Sequence, residues 1–68
     1  MQSERMADIT QITAVYRLDF SANTPLAEAW MKNHYGDREI FFDLPHDESN
    51  ALAFIAAAKA QGFSIEAD

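Results

Sequence analysis

At 68 residues the chain has room for one domain with a thin core, and its lack of cysteine excludes disulfides and thiolate metal sites. A hydrophobic content of 49%, with five Phe, two Tyr and one Trp, excludes a disordered chain, and no apolar run is long enough to span a bilayer. Eleven acidic residues against five basic ones give a net charge of −6, which opposes unaided binding to nucleic acid or anionic membrane and suits a basic or nucleic-acid-binding protein partner.

Met1–Asp8 is polar and carries Glu4, Arg5 and Asp8, without the hydrophobic core of a signal peptide. It is expected to be a flexible arm in front of a single domain over 9–68, in a cytoplasmic protein. From Gln11 to Phe20 the pattern alternates. Ile12, Ala14, Tyr16, Leu18 and Phe20 fall on one face, and Gln11, Thr13, Val15, Arg17 and Asp19 on the other, the period of a strand with one buried side.

Ser21–Pro25 breaks this pattern and starts a helix, with Thr24 placed to cap the free amides and Pro25 suited to the first helical position. Leu26, Ala29 and Trp30 predict its buried stripe, with Ala27 and Met31 along one flank and Met31 and Tyr35 as an edge strip. Gly36 is the expected stop. Glu39–Leu44 reads as a second strand with Ile40, Phe42 and Leu44 inward and Phe41 on the opposite face; Pro45 ends it. His46-Asp47-Glu48-Ser49 is an acidic helix start with Asp47 as cap. Ala51, Leu52, Phe54, Ile55 and Ala58 give that helix its apolar stripe, and Gly62 stops it. Phe63-Ser64-Ile65 predicts a short last strand.

The expected architecture is therefore a small α/β (or α+β) two-layer sandwich in the order β-α-β-α-β. Its three-stranded sheet would carry both helices on one face and leave the other open.

Chemistry-bearing motifs are sparse. His34 and His46 lie near Asp37, Asp47 and Glu48 in sequence, but no spacing is that of a metal site. Ser21, Ser49 and Ser64 stand in no nucleophile motif, and Gly36 and Gly62 are accounted for as helix stops, so no phosphate loop remains. No catalytic residue, metal or cofactor is expected, and the chain reads as a non-enzyme. The outer side of the second helix, with Ala53, Ala56, Ala57 and Ala60, is explained by helix propensity, or by close approach of another helix, from a second copy in a homodimer or from a partner.

The acidic segment Asp37–Glu48 is the candidate site. It holds Asp37, Glu39, Asp43, Asp47 and Glu48, and alternation puts Glu39 and Asp43 on the outer face with Phe41. Asp19 and Arg17 belong to the outer face of the first strand. An aromatic anchor with a polar rim is how protein interfaces concentrate binding energy, so Phe41, Glu39, Asp43, Asp19, Asp37, Asp47 and Glu48 are the expected partner-binding residues.

The stretch Glu39–Glu66, through Phe42, Leu44, Ala51, Phe54, Ile55, Gly62 and Phe63, resembles one βαβ half of ferredoxin-like regulatory domains. The acidic protein inhibitors of ribonuclease E share that general look. Size and charge are also similar to those of small acidic inhibitors of phages and mobile elements, such as anti-CRISPR and antirestriction proteins. The expected function is a non-catalytic module that inhibits or adapts a partner protein by occupying its surface. The alternatives are a nucleic-acid mimic blocking a DNA- or RNA-binding protein, and a homo-oligomeric structural protein.

Overall fold

The computed structural model describes residues 6–67. It is a mixed α/β fold with the chain order β1 (Ile9–Ala14), β2 (Arg17–Ala22), α1 (Pro25–Tyr35), β3 (Glu39–Asp43), α2 (Glu48–Ala60) and β4 (Ile65–Ala67). The four strands lie side by side in the order β3-β2-β1-β4. β1 pairs antiparallel with β2, β2 antiparallel with β3, and β1 parallel with β4.

The sheet thus has four strands rather than three, and the chain begins ββα rather than βα. The long first strand expected over Gln11–Phe20 is a hairpin that turns at Val15-Tyr16. The reason is one of length. Ten extended residues span about 33 Å, whereas helices of 11 and 13 residues span about 17–20 Å. An unbroken strand would run far past the helices meant to cover it. Doubling back satisfies its backbone groups and brings Leu18 and Phe20 over the core.

The turn also reverses the face of everything before it. Ile12 lies opposite Asp19 and Ala14 opposite Arg17, and directly opposed residues share a face. Ile12 and Ala14 therefore stand on the outer face, not the inner one expected. Gln11 and Thr13 move the other way, to the side of Phe20 and Leu18. Val15 and Tyr16 form the exposed tip.

Both helices cover the inner face. The core joins Ile9, Phe20 and Ala22 of the sheet to Ala27 and Met31 of α1 and Phe54 and Ala58 of α2. Leu18, Trp30, Ile40, Phe42, Ile55, Phe63 and Ile65 pack around it. Phe54 is the hub. Its ring centroid lies 4.6 Å from Phe20, 5.2 Å from Tyr35, 5.6 Å from Trp30 and 6.1 Å from Phe42.

The α1 boundaries follow the sequence signals. Thr24 is the N-cap, its Oγ1 accepting the Ala27 N–H at 3.3 Å, and Pro25 opens the helix. Gly36 ends it in the left-handed region at φ 86°, donating its N–H to the Lys32 carbonyl. Nothing lies within 4 Å of where a Cβ on Gly36 would be. Gly36→Ala should therefore cost only the backbone term, about 1–2 kcal/mol in urea denaturation. On the exposed flank Lys32 donates to Glu28 at 3.0 Å and, by that hydrogen bond and its charge, holds the Glu28 carboxyl below its ordinary range.

The α1 stripe is rotated from the expected one. Ala27 and Met31 are buried and Trp30 packs beside them, while Leu26 is 75% exposed. In α2, Ala51, Phe54 and Ala58 are buried and Leu52 is exposed. Asp47 occupies the N-cap position, but its side chain makes no capping hydrogen bond; its Oδ1 instead accepts from Asn50 Nδ2 at 3.5 Å. α2 ends before Gly62, whose φ of 91° reverses the chain, and Phe63 N–H closes the end on the Ala58 carbonyl.

Of the arm expected over residues 1–8, residues 1–5 lie outside the described residues, as does residue 68 of the expected domain. Ala7 and Asp8 are tied to the fold: Asn23 Nδ2 donates to the Ala7 carbonyl at 3.0 Å and Asn23 N–H to the Asp8 carbonyl at 2.8 Å. β3 and β4 sit at opposite edges with β2 and β1 between them. The Glu39–Glu66 stretch keeps its expected chain order but is spread across the whole sheet. No described helix is long and apolar enough to cross a membrane.

Candidate functional site

The helices leave the other side of the sheet open, and the pairing register fixes what stands on it. One row runs Thr10–Ser21–Glu39, a second Ile12–Asp19–Phe41, and a third Ala14–Arg17–Asp43. Glu66 of β4 extends the first row beside Thr10. Because side chains alternate strictly along a strand, the charged and apolar residues of these rows stand together.

Phe41 is the apolar centre and is 53% exposed. It shares its row with Ile12, which is 44% exposed. Arg17 reaches diagonally across from β2 so that its guanidinium carbon lies 4.1 Å from the centroid of the Phe41 ring. The same guanidinium donates from Nε to Asp19 Oδ1 at 2.8 Å. A cation over an aromatic face contributes about 0.5–1 kcal/mol where water has access, so this contact orients the ring more than it stabilises the fold. Ser21 Oγ donates to Glu39 Oε2 at 3.3 Å in the neighbouring row.

Asp37 closes one end of the face. Its Oδ1 accepts the N–H groups of Arg38 at 2.7 Å and of Glu39 at 3.3 Å, which fixes the entry into β3. Arg38 itself turns back, with Nη2 donating to the Ala22 carbonyl at 3.3 Å. Ile12, Arg17, Asp19, Ser21, Asp37, Glu39 and Phe41 line a shallow depression of about 410 Å³, floored by Phe20 and Ile40. Its rim is acidic, and Arg17 is its cation.

Five of the seven expected partner-binding residues are thus brought to one face: Phe41, Glu39, Asp43, Asp19 and, at its end, Asp37. Asp47 and Glu48 are not. The chain leaves the sheet after Asp43 and passes through Pro45 into the helical layer, so Asp47, at the N-cap position, and Glu48, in the first turn of α2, lie on the far side. Closeness in sequence does not carry around that corner. Conversely, Ile12, expected inward, belongs to the face, because only the hairpin turns it outward.

Among the described residues no polar or charged side chain is buried, and no cluster of His, Asp or Glu is placed to hold a metal ion. His34 lies against Trp30, with ring centroids 5.6 Å apart, and His46 is exposed in the turn before α2. Compared with protein-family models, curated proteins and solved structures, the chain matches none of them.

Proposed function

We propose that this protein is a non-catalytic binding module, an inhibitor or adaptor that occupies the surface of a basic partner protein through the open face of its sheet. The observation that carries this reading is Phe41, a large half-exposed aromatic held in place by Arg17 and set among Asp19, Glu39 and Asp43. Fully burying an exposed large apolar side chain gains about 1.5–3 kcal/mol, so covering the exposed half of Phe41 gains about half of that, and the carboxylates around it steer and select a positively charged partner. The thinness of the fold adds support, since a two-layer domain with one bare sheet face gains stability when that face is covered.

The test is a partner captured on the immobilised chain and then titrated against variants. Phe41→Ala with Asp43→Lys should weaken the complex by about a hundredfold, from one lost aromatic anchor and one reversed charge. Leu52→Ala, on the opposite layer, should leave affinity unchanged. Both variants should keep the circular dichroism of the parent. Equal affinity of the Phe41/Asp43 variant and the parent would remove the open face from the reading.

A further inference from the structure

β3 lies at an edge of the sheet, and its free main-chain groups can be assigned from its ladder with β2. The Ala22 N–H donates to the Arg38 carbonyl at 2.9 Å and the Leu44 N–H to the Tyr16 carbonyl at 2.8 Å, one at each end of the pairing. Hydrogen-bonded pairs alternate along an antiparallel ladder. The main-chain groups of Ile40 and Phe42 therefore face β2, and those of Glu39, Phe41 and Asp43 face outward. Two of these outward groups are occupied: the Glu39 N–H by Asp37 Oδ1 at 3.3 Å, and the Asp43 carbonyl by the Asp47 N–H at 2.7 Å. Between them remain the Glu39 carbonyl, both groups of Phe41 and the Asp43 N–H. This is a short window with marked ends.

We infer that this window takes up an extended basic segment of the partner protein as a fifth strand, the partner's residue opposite Phe41 being apolar and those two positions to either side being Lys or Arg. The inference rests on the reading that the open face binds protein, and it names the kind of segment bound. Its ground is charge. A strand added beside β3 sets alternate side chains next to Glu39, Phe41 and Asp43 on the open face, and opposite charges across a strand pair attract while like charges repel. The same rule disfavours a second copy. Antiparallel pairing of two β3 strands centred on Phe41 would set Glu39 of each copy against Asp43 of the other. The edge carries neither Lys nor Pro within Glu39–Asp43, two common guards against strand addition; its carboxylates guard it against itself and leave it open to a basic strand.

The experiment uses the end-capped peptide Thr-Lys-Thr-Val-Thr-Arg-Thr and the whole protein labelled with nitrogen-15. Titration should shift the Phe41 and Asp43 amide resonances most and slow their hydrogen exchange. Methylating the Val nitrogen removes a ladder donor and should weaken binding at least tenfold. Replacing Lys and Arg by Glu and Asp should abolish it, and Glu39→Lys with Asp43→Lys in the protein should weaken the basic peptide by about tenfold. Absence of binding at millimolar peptide overturns the inference, as does equal binding of the acidic peptide. Equal binding of the methylated peptide, with shifts at Ile12 and Arg17 but no protection at Phe41, overturns the edge while leaving the open-face reading intact. Self-association of the free chain with protection at these same amides would assign the edge to a second copy and overturn it as well. The open-face reading fails on different grounds, when the Phe41→Ala, Asp43→Lys protein still holds the captured partner.

Discussion

Phe54→Ala should leave this protein without a cooperative urea transition at 25 °C. Phe54 is buried and is the residue on which α1, α2, β2 and β3 converge, through the rings of Trp30 and Tyr35, Phe20 and Phe42. Truncating a buried Phe costs about 3–5 kcal/mol, from lost transfer energy and from the cavity left behind. A single core in a domain this small supplies about the same amount. Loss and total stability are therefore of one size, and the variant should lose the near-ultraviolet dichroism of Trp30 and its neighbours. Phe54→Leu keeps most of the volume and should cost less than about 1.5 kcal/mol. Leu52→Ala, two residues away but 58% exposed, should stay within about 0.5 kcal/mol of the parent. A cooperative transition in Phe54→Ala close to that of Leu52→Ala would show that the aromatic cluster is not what holds the layers together.

How much of this was legible in the sequence depended on whether the deciding forces were local. The start and stop of α1 were legible because Thr24, Pro25 and Gly36 act on backbone groups within a few residues. β3 was legible because its strict alternation has one solution, with Ile40 and Phe42 in and Phe41 out. The β1–β2 hairpin was not. Two-residue hairpin loops usually advertise themselves with Asn-Gly or Asp-Gly, whose positive φ matches the strand twist. Here Val15-Tyr16 turns with no positive φ at any described residue other than glycine, and alternation continues on both sides. The available clue was length, since the run outreaches either helix. The stripe of α1 was ambiguous for another reason. Leu26, Ala27, Ala29, Trp30 and Met31 offer two adjacent apolar faces that share Trp30, and only contact with β2 and α2 selects the one carrying Ala27 and Met31.

The candidate site divides along the same line. Phe41, Glu39 and Asp43 were found by strand period alone. Asp19 and Arg17 were placed on the same face correctly because the second half of the run, after the turn, sets the parity that faces β3. Ile12 needed the hairpin. Charge runs on through the sequence to Asp47 and Glu48, whereas the chain turns a corner at Pro45 and carries them into the other layer. Arg17 over the Phe41 ring is a diagonal contact across two strands, and such contacts follow only once the partner strand and its register are known.

Asp8→Ala should destabilise the protein by about 2 kcal/mol and release β4 before the rest. The Asp8 carboxylate stands where three segments meet. Its Oδ1 accepts the Thr24 hydroxyl at 3.0 Å, at the cap of α1, and its Oδ2 accepts the Ser64 N–H at 3.0 Å and hydroxyl at 3.4 Å, just ahead of β4. The Asp8 N–H in turn donates to Ser64 Oγ at 3.1 Å, and Ile9 N–H donates to the Ser64 carbonyl at 3.0 Å. β4 has only the three residues Ile65–Ala67 and pairs with β1 alone, so its register leans on this clasp. Hydrogen bonds to a charged acceptor contribute about 1.5–3 kcal/mol, less where water reaches them. Asp8→Asn keeps acceptor oxygen for one side of the clasp and should fall between Asp8→Ala and the parent. Thr24→Ala made alone removes the cap and one bond to Asp8; made on Asp8→Ala it should cost less, because that bond is already gone. Native-state hydrogen exchange gives the sharper readout. The amides of Ile65–Ala67 should exchange faster in Asp8→Ala by a factor exceeding that seen for β2 and β3. Uniform acceleration across all strands would mean that the carboxylate supports the fold globally and that β4 is held by the packing of Phe63 and Ile65 instead.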